Sequence, residues 1–258
     1  MIILKNVSFD YESSPVLKNC SITFPSNEVH LILGPTGVGK TTLALILARL
    51  LKPKSGRVIF PRGNIENLCR EIGFLFQFPE DLFFNDTVYE ELAYGAKKHN
   101  LKEIDERVSR VLKLVGLEKE ILSGSPFDLS FGEKRLVALA SILICDPSWL
   151  ILDEPFCDLD WQLREKIAKT IEKLKGKVGI IIITHNLDDI IEYVDRVSLL
   201  VDGRVAFTSL PEEVEWDEVM KVGCDIPRAV LIAKKLRENG IDVSLEWSIP
   251  RLVKALKE

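Results

Sequence analysis

The stretch that most constrains this chain is Gly34-Pro35-Thr36-Gly37-Val38-Gly39-Lys40-Thr41. It fits the phosphate-binding pattern G-x-x-x-x-G-K-[ST] at every fixed position. Its flanks agree: Val29 to Leu33 reads as a short buried strand, and Thr42 to Leu51 as the helix that follows. Glycines carry no Cβ, so the backbone wraps closely around an anion and aims successive amides at it from the positive end of the helix. Lys40 is placed to reach the β- and γ-phosphates, and the Thr41 hydroxyl to ligate Mg²⁺. The loop and Thr42 behind it are therefore candidate binders of a nucleoside triphosphate.

Around this loop the chain alternates strands and helices. Ile2 to Phe9 and Val16 to Phe24 predict an antiparallel flank ahead of the loop. Further strands are expected at 57–60, 72–76 and 149–154, and in the apolar run 177–184. The Asp202-Gly203 turn predicts a hairpin joining 196–201 to 204–207. Helices are expected after Thr87, whose capping-box partner is Glu90, over 101–115 up to Gly116, and after the stretch 129–133 to about Ile144. Others are expected over 159–175 and from Asn186 onward. Strand–helix alternation implies an α/β class with a mainly parallel central sheet. The helix-rich stretch from about 80 to 145 is expected to form a separate lobe, and the chain past Pro211 a charged helical tail.

In open α/β sheets, ligands sit beyond the carboxyl ends of the strands. The phosphate loop, Gln77, Asp153-Glu154 and His185 all fall at such ends, which argues for one site. Asp153 suits a magnesium-holding role through the metal's water shell, and Glu154 that of the group polarising an attacking water. The alternative is that both carboxylates cap the next helix. Gln77 is a candidate contact to the metal and the water. His185 is either a structural hydrogen-bonder or a γ-phosphate contact. Tyr11, past a strand end, either stacks on a nucleobase or packs on the sheet edge. His30 and His99 read as structural or surface residues.

Bulk properties narrow the class. The chain has 258 residues, 47% hydrophobic and 28% charged, which is ordinary globular composition. A net charge of −5 argues against a nucleic-acid surface. Five scattered cysteines (20, 69, 145, 157 and 224) form no C-x-x-C pair and suit a reducing compartment rather than a disulfide framework. No apolar run reaches the roughly 18 residues of a membrane span, and the start is too short for a signal peptide. A membrane role is therefore expected only through a partner.

The order of phosphate loop, Gln77, Leu129-Ser130-x-Gly132, Asp153-Glu154 and His185 resembles the ATPase subunit of ABC transporters, over roughly residues 1–210. Three stretches, 76–83, 87–91 and 93–95, are similar to the ATPase subunits of energy-coupling-factor importers of vitamins or transition-metal ions. So is the short tail. The resemblance implies a P-loop ABC ATPase fold over residues 1–210, with a helical subdomain at about 80–145. It adds a short α/β dimerisation appendage over 211–258. It implies ATP and Mg²⁺ as ligands, with Thr41, Gln77 and Asp153 (through water) at the metal. Tyr11 would stack on adenine and residues 34–42 bind one triphosphate. Glu154, His185 and Gln77 would form the catalytic set. Ser130 and Gly132 would contact the γ-phosphate held by a second ATPase subunit, itself or a paralogue, and Asp160 would signal between the two sites. The remaining partners would be a transmembrane coupling subunit, docked at Gln77 and the helices after it, and a substrate-binding membrane component. Nucleic acid is excluded. The protein would sit peripherally on the cytoplasmic face of the membrane.

Several positions depart from the family pattern. Phe131 stands where glycine is common and Glu133 where glutamine is usual, and the stretch 156–160 lacks the common small residues. Glu133 adds negative charge near the γ-phosphate unless it points away as its helix begins. These departures bear on the composite site that this signature completes, and keep open an ATP-binding regulatory half with reduced hydrolysis. A nucleic-acid-associated ABC ATPase is a further alternative, opposed by the acidic balance and the 88 residues between Thr41 and Ser130. Glu80, Asp81, Glu90 and Glu91 form either an acidic docking face for a basic helix or an ordinary solvated surface.

Overall fold

A computed structural model describes residues 1–12, 14–60 and 71–257. Cys69 therefore lies outside the described residues. Among the described residues there are nine strands. β1 (Ile2–Tyr11), β2 (Ser14–Phe24) and β4 (Ser55–Ile59) form an antiparallel sheet in the order β2-β1-β4. The second sheet has six strands in the order β5-β6-β7-β3-β8-β9: Ile72–Leu75, Trp149–Asp153, Gly179–Ile183, Val29–Leu33, Arg196–Val201 and Arg204–Ser209. Its first five strands are mutually parallel, and only β9 runs back against β8.

Strands β3, β6 and β7 are buried on both faces because every position is apolar or paired, as a covered parallel sheet requires. Their period-2 alternation divides the core. Leu31, Leu33, Leu150, Leu152, Ile180 and Ile182 face the helices on one side. Ile32, Ile151, Ile181 and Ile183 face α1 (Lys40–Leu47) and the antiparallel sheet on the other. Each fully buried isoleucine contributes roughly 1.5–3 kcal/mol of transfer free energy, so the run 180–183 anchors both layers.

The Asp202-Gly203 hairpin forms as expected, with both residues at positive φ, 50° and 75°. Its tip also holds the two sheets together. Lys18 donates its amide to the Gly203 carbonyl at 2.9 Å, and a Cβ on Gly203 would lie 2.2 Å from the Val16 carbonyl oxygen. The helices between β5 and β6 are α2 (Val88–Lys98), α3 (Ile104–Val115) and α4 (Phe131–Leu143), followed after β6 by α5 (Trp161–Leu174). Thr87 caps α2 by accepting the Glu90 amide, and Gly116 ends α3 at φ 75°.

Two expectations need correction. No helix starts at Asn186: the chain makes two single 3₁₀ turns, Leu187–Asp189 and Ile191–Tyr193. Ile190 interrupts them at φ −132°, and the Asn186 side chain caps nothing. The appendage, expected as α/β, is helical where described: α6 (Trp216–Lys221), α7 (Arg228–Glu238) and α8 (Ile249–Ala255). The segment between α7 and α8 pairs with no strand and is anchored by a single buried apolar side chain. Val243 joins Ala229, Ala233 and Leu252 in a small core, and Arg237 donates to its carbonyl at 2.6 Å.

Candidate functional site

The site is built where β3 runs into the phosphate loop, beside the carboxyl ends of β5, β6 and β7. Gly39 is the N-cap of α1 at φ 107°, and no side chain caps that helix. Its missing Cβ is required, since one would lie 2.8 Å from Val16 Cγ1. Lys40 is only 8% exposed, and its Nζ donates to the Gly34 and Pro35 carbonyls at 2.6 and 3.0 Å. Pro35 also accepts the Val38 amide at 3.3 Å, which shapes the loop between them. Burial draws the Lys40 pKa down, while Glu154, Cys224 and Asp153 oppose that shift.

The two adjacent carboxylates do not cap the next helix. Asp160 does that, accepting the Leu163 amide at 2.9 Å. Asp153 is 3% exposed, and burial raises its pKa against the opposing hydrogen bond from Thr41 and the charge of Lys40. Glu154 adopts a left-handed backbone, φ 49°, a strained conformation for a residue with a side chain. Neighbours hold it there: its amide donates to the Ile183 carbonyl at 2.8 Å, and Arg135 Nη1 donates to its carbonyl at 2.9 Å. Its Oε2 accepts the His185 amide at 3.2 Å, and its Oε1 lies 3.5 Å from His185 Nε2. Burial again raises the carboxyl pKa, opposed first by His185. A carboxylate with a raised pKa is a stronger base toward a water.

These groups share one cleft of about 600 Å³. Thr36, Gly37, Gly39, Lys40, Thr41 and Thr42 form one wall. Gln77, Asp153, Glu154 and His185 form the other, and Tyr11 stands at the mouth. Tyr11 packs on its own strand while keeping part of its ring open to solvent. Its ring packs edge-on against Phe9, centroids 4.9 Å apart, yet it remains 46% exposed. The Thr41 hydroxyl bonded to Asp153, with the Gln77 side chain lining the same cleft, is a set of hard oxygen donors that fits Mg²⁺. His30, read as structural, lies buried on β3, where its Nε2 meets Ser198 Oγ at 2.8 Å.

The signature residues lie elsewhere. Ser130, Gly132 and Asp160 are not among the residues lining the cleft around Lys40. Ser130 caps α4, and Glu133 does not point away: its carboxylate turns back and bonds Ser130 in a complete capping box. Gly132 packs closely on α5, where a Cβ would lie 2.0 Å from Leu163 Cδ1 and that side chain would have to shift. Phe131 is exposed at the same turn, its ring 5.1 Å from the Arg135 guanidinium.

Of the acidic residues in this region, Glu91 does not belong to any exposed face, whereas Asp81 and Glu90 are exposed. Glu91 is buried, and its Oε2 accepts from the Phe84 amide, the Asn85 amide and Asn85 Nδ2 at 3.2, 3.1 and 2.9 Å, stapling the loop ahead of α2. Beside the exposed Asp81, Asp86 and Glu90, this region also exposes Phe78, Leu82, Phe84 and Tyr94, with the last two rings in edge contact.

One neighbour of the site was not anticipated. Asp225, in the appendage, places Oδ2 3.5 Å from His185 Nδ1, so the histidine lies between two carboxylates. Arg228 docks the same segment, donating its amide to Asp188 Oδ1 at 2.9 Å while its Nε lies 3.2 Å from Asp188 Oδ2. No local pattern around Asp225 signals this, because the contact joins positions 40 apart.

Comparison with known proteins follows the same lines. The family model described as ABC transporter matches residues 17–157. The energy-coupling factor transporter ATP-binding protein EcfA2 of Symbiobacterium thermophilum is 35% identical, covering all of this chain and 93% of that protein. Among solved structures, CbiO1 of Clostridium perfringens, part of the ABC transporter complex CbiONQ, superposes with a TM-score of 0.75. It is 30% identical, over 100% of this chain and 98% of that one. A bacterial ABC transporter cassette solved as a dimer gives a TM-score of 0.74 at 28% identity, over 82% of this chain and 99% of that one.

Proposed function

This chain belongs to the ABC transporter family, among its energy-coupling-factor ATP-binding subunits, and on that premise we propose how its residues carry out the ATPase work of the motor. The carrying observation is the Glu154 carboxylate, held by His185 in the cleft that Lys40, Thr41 and Asp153 also line. The triphosphate lies along residues 34–42 with the adenine on Tyr11. Lys40 exchanges its two loop carbonyls for phosphate oxygens, a gain because the anionic oxygens add a direct attraction between opposite charges that neutral carbonyls lack. Thr41, Asp153 through water, and Gln77 would hold Mg²⁺, which would supply positive charge to offset that of the triphosphate. Glu154 accepts a proton from the attacking water while His185 contacts the γ-phosphate.

A second ATPase subunit, itself or a paralogue, supplies Ser130 and Gly132 across the dimer, and Asp160 lies at that contact. That these residues stand apart from the chain's own cleft supports the arrangement. Residues 1–210 form the ATPase domain, with the lobe at about 80–145 offering Phe78, Leu82, Phe84 and Tyr94 to the membrane subunit. Residues 211–258 form the dimerisation appendage. The assembly sits on the cytoplasmic face of the membrane, where a substrate-binding component selects the vitamin or metal ion.

The test is Glu154→Gln. ATP-driven dimerisation, followed by light scattering, should persist while turnover drops by about 10²-fold or more, as expected for loss of a general base. Turnover at the parent rate would reject the assignment.

A further inference from the structure

The turn that this reading offers to a partner's nucleotide is already engaged by the chain's own carboxylate. Ser130 Oγ donates to Glu133 Oε2 at 2.5 Å, and the Ser130 amide donates to the same oxygen at 3.0 Å. The Glu133 amide completes the ring by donating to Ser130 Oγ at 3.4 Å. A serine hydroxyl has one proton and a backbone amide one. While both go to Glu133, neither is available to a γ-phosphate oxygen.

The competitor is also charged. The two bonds from Ser130 hold the Glu133 carboxyl below its usual range, so it is an anion wherever nucleotide is handled. A phosphate arriving at Ser130 must break charge-assisted hydrogen bonds and then sit beside a second negative group. The exposed Phe131 ring stands at the same turn, 5.1 Å from the Arg135 guanidinium.

We propose that Glu133 is a built-in competitor for the trans γ-phosphate. Through it, this chain's signature closes on a partner's ATP more reluctantly than one with a neutral side chain at that position. The dimer is thereby made asymmetric if the partner is a paralogue, and slow to close if it is a second copy. The inference rests on the reading that Ser130 faces a nucleotide across the dimer.

The experiment uses the full chain carrying Glu154→Gln, so that ATP is not consumed, and reads the ATP concentration for half-maximal dimerisation by light scattering. Adding Glu133→Gln should lower that concentration about tenfold, the equivalent of about 1.4 kcal/mol. Glu133→Ala should lower it as well while reducing the melting temperature, because a cap is lost. A merely structural role would move both quantities for the worse. A parent that stays monomeric and a Glu133→Gln variant that dimerises would support the proposal. An unchanged or raised ATP requirement, or two monomers, would overturn it. Ser130→Ala separates the two layers: if it raises the ATP requirement while Glu133→Gln does nothing, only the competitor idea falls. If Ser130→Ala does nothing, the trans reading itself falls.

Discussion

Two helix N-termini in this molecule are built from similar parts for opposite ends. At α1 the cap is Gly39, no side chain bonds the first-turn amides, and no acidic residue occupies that turn. At α4 the cap is Ser130, with Glu133 bonded back in a full capping box. The first terminus leaves its amides and positive dipole end to an incoming anion. The second satisfies two of its amides internally, those of Ser130 and Glu133, and carries its own anion. An N-terminus therefore becomes a phosphate site by what is withheld from its first turn, not by being a helix start.

The contrast can be broken most severely at α1. Gly39→Ser would give that helix a side-chain cap, place a Cβ against Val16 Cγ1, and force a side chain into φ 107°. Nucleotide affinity, measured by titration calorimetry, should fall by about 10²-fold or more, given roughly 1–3 kcal/mol of backbone strain plus the blocked amides. Affinity within a factor of two of the parent would mean that the open cap does not matter.

A second test probes the strand beneath that terminus. His30 on β3 is buried, and burial together with Arg196 lowers its pKa from 6.5 to about 3. The folded protein holds it neutral, whereas the unfolded chain protonates near pH 6.5. Stability is thus full above that pH and falls as pH drops toward 3, by at most about 1.4 kcal/mol per pH unit. His30→Gln should flatten this part of a melting-temperature profile between pH 6.5 and 4. A variant profile as steep as the parent's would assign the acid sensitivity elsewhere.

The smallest effect is expected at the seam between site and appendage. Asp225 is 70% exposed at its side chain, so its influence on His185 is screened. Asp225→Asn should lower kcat by about two- to fivefold with KM for ATP nearly unchanged, within the range of an exposed charge pair. In a His185→Ala background it should do nothing further. An equal loss in both backgrounds would show that Asp225 acts by another route.

Much of this was legible in the chain. The phosphate loop, Asp153-Glu154 and His185 each follow an apolar run, and a run of that kind in a parallel sheet ends where ligands sit. Glu133 was legible in principle, because Ser130-x-x-Glu133 repeats the spacing that identifies the cap at Thr87 and Glu90. Glu91 was misleading: an acidic residue beside Glu90 reads as surface, and only the fold of residues 84 and 85 over it turns it into a buried staple. The expected helix after Asn186 failed for a related reason. Capping chemistry is local, but the path of that segment follows the appendage docked against Asp188.

The sequence alone determined the chemistry and its order along the chain, since loop, carboxylates and histidine are recognisable from side-chain type and short-range periodicity. Only the tertiary structure decided which polar groups remain open to a ligand. Lys40 rests on neutral carbonyls and Ser130 on a carboxylate, and His185 lies between Glu154 and Asp225. The physical reason is that a donor's availability depends on every acceptor within about 3 Å, and packing brings most of those acceptors from elsewhere in the chain.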